Sequence, residues 1–180
     1  MAFAIPVRTV EEVKTCLEYY QKKFFDARHV CYAYMLGHER KEFRTNDNGE
    51  PSGTAGKPIL GQINSKGLTN ILLVVIRYFG GIKLGTGGLA AAYKVAAADA
   101  LNNAVTIEKT VDEEVTVMFE YSFMNDVMRV AKEEGAEILY QSCEETCKMT
   151  LRIRRSLVER LRSRLLRNGY RLEVMGGRLE

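Results

Sequence analysis

Apolar and polar positions in the N-terminal part of the chain predict two strands and one amphipathic helix. Phe3 to Val7 is a short apolar run that predicts a first or edge strand. Thr9-Val-Glu-Glu12 has the spacing of a capping box, which begins a helix. Apolar side chains then recur at three- and four-residue steps, so we expect an amphipathic helix that ends near Asp26. His29 to Leu36 is rich in β-forming residues and predicts a strand.

The strongest strand pattern in the chain runs from Asn70 to Phe79, because its unbroken apolar centre is typical of a strand buried on both faces. Glu39 to Thr45 is a candidate partner for the preceding strand, and Pro58 to Gln62 predicts either a short helix or an irregular turn. An alanine-rich segment from Thr86 or Gly87 to Asn102 predicts a helix that lies close to a sheet. We interpret Ala104 to Val111 as a strand end and a domain boundary.

The pattern changes after this boundary, since glycine becomes sparse and charged residues become frequent. The apolar positions now predict strand, helix, strand, strand, helix and strand, at Glu114 to Tyr121, Phe123 to Glu134, Glu137 to Ser142, Cys147 to Ile153, Ser156 to Gly169 and Tyr170 to Met175. This order is the split β-α-β, ferredoxin-like pattern. Ser156-Leu-Val-Glu159 has capping-box spacing, and leucines follow it at positions 157, 161 and 165. We therefore predict an α+β protein with two domains, residues 1–108 and 109–180.

Composition places the chain among globular proteins. It has 180 residues, 46% of them hydrophobic, and a net charge of +3. No apolar run reaches the roughly 18 residues that a membrane helix needs. The start, Met1-Ala-Phe-Ala-Ile-Pro, has no charged region before its apolar residues and does not resemble a signal peptide. We expect a cytoplasmic protein without a membrane partner.

The four cysteines do not have the spacing of a zinc site, because Cys143 and Cys147 have no second pair of ligands near them in the chain. We expect Cys16, Cys31, Cys143 and Cys147 to be buried free thiols in a reducing compartment. Neither a metal nor another cofactor is predicted. Oligomeric state is not indicated by any pattern.

Two glycine-rich stretches are the candidates for a functional surface. Arg77 to Gly88 combines a strand end, a glycine-rich turn and a helix start, which is the arrangement of an anion cradle. Lys83 lies inside this stretch and adds a positive charge, but the Lys-Ser/Thr ending of a P-loop is absent. Two interpretations stay open: phosphate binding, or a tight turn with close helix–sheet packing.

The other stretch, Thr45 to Gly61, carries acidic, hydroxyl and basic side chains. Candidate binding residues in it are Glu50, Ser52, Thr54 and Lys57. Their spacing matches neither a nucleophile elbow nor a Ser-x-x-Lys motif, so contact with a partner or a phosphate is favoured over bond breaking. A structured solvated loop is the alternative. His29 is either a general base or a hydrogen-bonded structural histidine, and we predict no catalytic residue.

A third candidate is the basic segment near the C-terminus. Nine basic residues lie between Lys148 and Arg171, opposed only by Glu159. Such a cluster attracts phosphates. Stacking aromatics are sparse nearby, with Tyr170 the one example, so we expect contact with the nucleic-acid backbone more than with bases. The candidate contacts are Arg155, Arg160, Arg162 and Arg164.

These motifs resemble those of a known family. Asn48 to Leu60 and Asn70 to Tyr93 resemble two signatures of the IMPACT/YigZ family, and Asp26 to Tyr34 resembles a third. The chain departs from the family at Val30 and Ala91, where His and Arg or Asn are usual, and it lacks the usual basic lead-in before the first strand. The resemblance implies an N-terminal domain like the second domain of ribosomal protein S five. It implies a C-terminal domain like a late domain of elongation factor G.

For function, the resemblance implies a translation-associated protein that binds nucleic acid or the ribosome. We expect one phosphate-binding cleft formed by the two glycine-rich stretches, with the cationic and polar residues Arg28, His29, Glu50, Ser52, Thr54, Lys57, Arg77, Lys83 and Thr86. The arginine-rich helix would be a second contact surface. The alternatives are an enzyme that binds a nucleotide or another small phosphorylated ligand in the same cleft, and a protein–protein adaptor.

Overall fold

The computed structural model describes residues 1–81, 83–167 and 171–173, and its contacts divide the chain into two units, Met1–Thr106 and Ile107–Glu180. The first unit contains β1 (Ala2–Pro6), α1 (Val10–Lys23), β2 (His29–Leu36), β3 (Glu42–Asn46), α2 (Gly56–Ser65), β4 (Ile71–Arg77) and α3 (Gly85–Asn102). The second contains β5 (Asp112–Phe119), α4 (Met124–Glu133), β6 (Glu137–Cys143), β7 (Cys147–Arg154), α5 (Val158–Leu166) and β8 (Arg171–Glu173). The prediction of an α+β protein with two sheet-containing regions is confirmed.

The sheet of the first unit is antiparallel, in the order β1-β4-β2-β3, and helices cover both of its faces. Apolar side chains lie on both faces of β2: Cys31 packs with α2 and α3, whereas Tyr32 packs with α1. Residues 71 to 76 of β4 are all buried, which confirms the two-sided burial that the apolar run predicts. His29 pairs with Arg77, so the start of β2 lies beside the end of β4. Both glycine-rich stretches leave the sheet from strands that are joined through β2.

Helix ends in the first unit follow local hydrogen bonding. Thr9 caps α1 by accepting the Glu12 N–H at 3.2 Å, as predicted. The returning bond differs from a capping box, because the Glu12 carboxylate accepts the N–H of Arg8 at 2.6 Å and not that of Thr9. The Pro58 to Gln62 segment is helical, and α2 extends beyond it at both ends.

The second unit follows the predicted β-α-β-β-α-β order, and its antiparallel sheet has the order β6-β7-β5-β8. In β7, buried side chains from Cys147 to Ile153 alternate with more exposed ones, so one face of the strand forms the core. α4 and α5 cover that face through Val127, Leu161 and Leu165. A 3₁₀ turn precedes each of these helices, at Tyr121–Phe123 and Arg155–Leu157.

Three predictions for this part of the chain are wrong. Ala104 to Val111 is not a strand but an extended connection between α3 and β5. Ser156 does not cap α5, because the 3₁₀ turn starts the helix with the Val158 N–H bonded to the Arg155 carbonyl. Cys143 and Cys147 form a disulfide, since the hairpin register of β6 and β7 places them opposite each other. Asn168, Gly169 and Tyr170 lie outside the described residues.

Candidate functional site

The first glycine-rich stretch is organised around the carboxylate of Asp47. Its Oδ2 accepts the N–H of Gly53 at 2.8 Å, and its Oδ1 accepts the N–H groups of Ala55 and Gly56 at 2.9 and 2.8 Å. Burial acts to raise the pKa of Asp47, but these hydrogen bonds outweigh it and hold the pKa below its ordinary value. Asp47 therefore occupies the position at the start of α2 where an external anion would otherwise bind.

Close packing between this loop and β3 requires glycine at position 56. A Cβ built on Gly56 would lie 2.8 Å from the Thr45 Cβ and 2.9 Å from the Asn46 nitrogen, both too close for real atoms. The loop is also attached to β2 through Asn48, whose Oδ1 accepts the N–H of Val30 at 2.8 Å. These contacts make the first stretch a rigid part of the sheet and not a mobile loop.

A buried polar network joins this loop to β4 and α3 through Glu50. The Glu50 side chain is only 4% exposed, and its Oε1 accepts hydrogen bonds from Arg77 Nη1 at 2.7 Å and from the Tyr93 hydroxyl at 2.8 Å. Cys31 Sγ lies 3.2 Å from the Tyr93 hydroxyl and 2.9 Å from the carbonyl oxygen of Asp47. Because the guanidinium balances the buried carboxylate, Arg77 acts here as a structural partner of Glu50.

His29 belongs to the same network. Its Nδ1 lies 2.8 Å from the carbonyl oxygen of Asn48, and since a carbonyl only accepts, Nδ1 carries a proton. Its Nε2 lies 3.7 Å from Glu50 Oε1, so a protonated ring forms an ion pair with Glu50. The His29 side chain is 11% exposed. This geometry supports the hydrogen-bonded structural histidine of the two interpretations given above.

The acidic and sulfur groups of this network do not have the properties of a nucleophile. Burial raises the pKa of the Cys31 thiol to about 12, which keeps the thiol protonated at neutral pH. Burial also raises the pKa of Tyr93. Among the described residues, no group of three His, Cys, Asp or Glu side chains is arranged to hold a metal ion. The network can hold three elements in register, but it lacks an activated group for covalent catalysis.

The second glycine-rich stretch differs from the first at the start of its helix. α3 begins at Gly85, its first turn carries no acidic residue, and its N-cap residue Leu84 makes no side-chain cap. Lys83 and Thr86 are exposed at this helix start. Within the described part of the loop, no carboxylate fills the position that Asp47 fills at α2. The positive end of α2 is therefore neutralised by a carboxylate of its own loop. The positive end of α3 has no such carboxylate in the described loop and is open to an external anion.

The remaining predicted loop residues fall into two groups. Arg28, Ser52 and Lys57 are exposed, so they are available to a ligand. Thr54 is buried, and its hydroxyl donates to the Pro51 carbonyl oxygen at 2.7 Å, which gives it a structural role in the turn. Of the predicted set, the structure brings His29, Glu50 and Arg77 into direct contact.

Several arginines of the basic segment have acidic partners. Glu134, whose side chain is 1% exposed, accepts from Arg160 Nε at 2.9 Å and from Arg164 Nη1 at 2.6 Å. Arg162 pairs with Glu159 at 3.0 Å, and Arg155 pairs with Glu113 at 2.9 Å. These acidic partners make the surface potential less positive than the clustering of arginines along the sequence predicts.

The net charges of the two units also show that the second unit is not strongly positive. Residues 1–106 contain 13 basic and 9 acidic side chains, a net charge of +4, whereas residues 107–180 contain 13 basic and 14 acidic, a net charge of −1. Residues 51–98 contain five basic side chains and no acidic one. The excess positive charge thus belongs to the unit with the glycine-rich stretches.

Sequence patterns did not identify Cys31 and Tyr93 as members of the site. Both residues look like ordinary core positions, and both are buried. Tyr93 is the one aromatic residue of the alanine-rich helix, and this contrast was a usable signal. Its hydroxyl bonds to Glu50, which is 43 positions away in the sequence, and residue spacing cannot predict such a contact.

The chain is similar to known proteins in sequence. Residues 1–101 match the family model of the Impact N-terminal domain. The chain is 43% identical over 114 residues to the IMPACT family member YigZ of Escherichia coli (strain K12), covering 62% of this chain and 56% of the relative. It is 35% identical over 127 residues to the IMPACT family member YvyE of Bacillus subtilis (strain 168), covering 71% of this chain and 58% of the relative.

A solved structure is similar along nearly the whole chain. It is a crystal structure described as that of a hypothetical protein, with 30% sequence identity and a TM-score of 0.67, and the match covers 97% of this chain and 87% of that one. The matched segment spans less than two thirds of the two curated relatives' own length. Among the described residues, no helix is both long enough and apolar enough to cross a membrane.

Replacing Glu134 with Gln will lower the free energy of unfolding by about 2 kcal/mol, because Arg160 and Arg164 lose a shared buried carboxylate. The loss stays below that of a fully buried pair, since Arg160 is 66% exposed and can be solvated. Urea unfolding measures the change. Glu159→Gln is the matched control: this residue also pairs with an arginine but is 82% exposed, and the expected loss is under about 0.5 kcal/mol. Equal losses in the two variants would contradict the structural role of Glu134.

Replacing Asp47 with Asn will destabilise the protein by about 1–3 kcal/mol at neutral pH, since one acceptor for the loop N–H groups becomes a donor. The folded-state pKa of Asp47 is lowered, so the unfolded state takes up the proton first as the pH falls. The stabilisation is complete above the unfolded-state pKa of about 4 and is lost as the pH falls through the lower folded-state pKa. Urea titrations at several pH values should show the gap between wild type and variant shrinking in acid. The exposed Asp99→Asn variant should show no such gap.

Proposed function

The chain belongs to the family of the Impact N-terminal domain, and from this premise we propose that it is a translation-associated protein that binds RNA or the ribosome. In this proposal it acts by binding and not by catalysis. The two units would correspond to the second domain of ribosomal protein S five and to a late domain of elongation factor G. A common origin with parts of the translation machinery would account for an affinity for RNA.

The observation that carries the proposal is a stretch of the first unit, residues 51–98, that contains five basic side chains and no acidic one. Four of the five are exposed lysines, whereas Arg77 is paired with Glu50, and the start of α3 has no side-chain cap. Exposed Arg28 precedes β2 at the end where His29 pairs with Arg77, and exposed Lys83 lies in the loop that follows Arg77. Polyanions bind such surfaces through release of counterions, which makes the affinity strongly dependent on salt.

The basic helix α5 is proposed as a second contact, with a smaller share of the affinity. Arg160 and Arg164 are held by Glu134, so they can be shared with a phosphate only if that ion pair weakens. Arg154 and Arg167 are exposed and are better candidates for direct contact. This assignment separates the arginines that stabilise the unit from those that can bind a partner.

A nucleotide- or phosphate-binding enzyme that uses the same cleft is the alternative function. The uncapped start of α3 beside Lys83 favours it, because helix starts of this kind bind phosphate. The protonated Cys31 and the structural partners of Glu50 and His29 do not favour it. An increase in melting temperature with ATP or GTP that requires Lys83 would support this alternative.

Co-sedimentation of the purified protein with ribosomes at low and high salt tests the proposal. We expect binding at low salt, with a logarithmic affinity that falls linearly as the logarithm of salt concentration rises. The variant Arg28→Glu/Lys83→Glu should lower the affinity at least about tenfold and reduce the salt slope, since two phosphate contacts are lost. Arg154→Glu/Arg167→Glu should have a smaller effect.

The matched control is Lys14→Glu/Lys22→Glu. It causes the same change in net charge, on exposed positions of α1, which covers the opposite face of the sheet from α2 and α3. This variant should bind like the wild type. Equal loss in the control and in the loop variant would show that net charge alone drives binding. Failure of the wild-type protein to pellet with ribosomes at low salt would overturn the proposal.

A further inference from the structure

The second glycine-rich stretch exposes an unusual amount of apolar surface. Tyr78 and Phe79 are 47% and 48% exposed, and Leu84, on the same stretch, is 48% exposed. Glycine-rich turns do not need large apolar side chains for their own stability. Adjacent exposed aromatics on a basic loop instead mark a surface that contacts a partner.

Both aromatic rings are held in place without being covered. The Tyr78 hydroxyl donates to Asp26 Oδ1 at 2.9 Å, which attaches the ring edge to the segment before β2. The guanidinium of Arg77 lies 5.5 Å from the centre of the Phe79 ring, and Arg77 is itself fixed by Glu50. A ligand that stacks on these rings therefore pays less side-chain entropy than it would on free ones.

The surroundings indicate which partner suits this surface. The loop that follows β4 contains exposed Lys83 and no acidic side chain of its own, and exposed Arg28 precedes β2, the strand paired with β4. Arg77 is held by Glu50, and the carboxylate of Asp26 is bonded to the Tyr78 hydroxyl, so Lys83 and Arg28 are the cations available to a ligand. An apolar protein segment could pack on the aromatic rings, but it would make no use of the positive charges. A single-stranded nucleic acid uses both features, because its bases stack on aromatic rings while cations contact its phosphates.

We propose that Tyr78 and Phe79 form a stacking platform for the unpaired bases of a single-stranded RNA. This inference rests on the RNA binding proposed above and names the form of RNA that the surface accepts. Stacking tolerates every base, so the platform selects single strands over duplexes without strict sequence preference. The basic helix α5 carries no aromatic side chain, which agrees with the expectation that it contacts the nucleic-acid backbone more than the bases.

The chain contains no tryptophan, which permits a direct optical test. The variant Phe79→Trp carries a single tryptophan at the platform, and its fluorescence should be quenched when a base stacks on the indole. The ligands are an oligouridylate of roughly 12 nucleotides, within the span of small single-strand binding domains, and an abasic oligonucleotide of equal length and charge. We expect quenching by the first and little by the second.

Affinity measurements with alanine variants provide a second test of the platform. Phe79→Ala and Tyr78→Ala should each weaken oligouridylate binding by about 5- to 100-fold, and they should leave the weak binding of the abasic chain unchanged. Phe43→Ala is the matched control, because Phe43 is an exposed aromatic (55%) whose pairing with Met35 places it at the other end of β2. Melting temperatures identify any alanine variant that fails to fold. If one fails, Phe79→Trp still tests the platform, because it keeps an aromatic ring at this position.

The outcomes separate this inference from the proposed function. Ribosome binding that is retained, together with equal affinity for oligouridylate and abasic chains, would overturn the stacking platform and leave the proposed function standing. Loss of oligouridylate binding in Phe43→Ala as large as in Phe79→Ala would also overturn the platform. Absence of binding to ribosomes and to both oligonucleotides would overturn both proposals.

Discussion

The first unit depends on two carboxylates of a single loop, the partly buried Asp47 and the buried Glu50. Asp47 closes the start of α2, and Glu50 joins β4 to α3 through Arg77 and Tyr93. An unpaired carboxylate in the protein interior is strongly unfavourable, so each of these groups requires its partners to be in place. The sheet can therefore form its native register at the His29–Arg77 end only when the loop, the strand and the helix assemble together. Glycine at position 56 permits the close approach that this assembly needs.

This constraint distinguishes two glycine-rich stretches that look similar in the sequence. The first contains its own anion, and Asp47 neutralises the helix start that would otherwise attract a phosphate. The second has the same strand–turn–helix form but no internal carboxylate among its described residues. Its described acidic contacts, Arg77 with Glu50 and Tyr78 with Asp26, lie at the strand end and not at the helix start. The internal anion of the first stretch shows that helix starts in this sheet accept negative charge, which makes the second a reasonable place for an external one.

Much of the fold could be predicted from the sequence because it depends on local patterns. The apolar run before Arg77 predicted a strand buried on both faces, and the alanine-rich segment predicted a helix. What the patterns missed depends on hydrogen bonds and strand pairings that residue spacing alone does not reveal. α2 is longer than predicted because its cap, Asp47, lies outside the helix, and the disulfide depends on the register of a hairpin. Likewise, the candidate site could be located to two loops, but its buried members Cys31 and Tyr93 looked like ordinary core residues.

The arginine-rich segment shows why a count of charges along the chain is a weak guide to binding. Nine basic residues opposed by one acid indicate a strongly positive surface, yet the unit that contains them has more acidic than basic side chains. Arg160 and Arg164 of α5 share Glu134 at the end of α4, a side chain that solvent hardly reaches, and Arg155 before α5 pairs with Glu113 of β5. A phosphate that competes for these arginines must leave a buried carboxylate without a partner, which costs more than the exposed contact returns. Among the described residues, exposed Arg28 and Lys83 of the first unit have no such buried carboxylate to leave unpaired, and this difference in desolvation is the reason for proposing the first unit, and not α5, as the main contact for a polyanion.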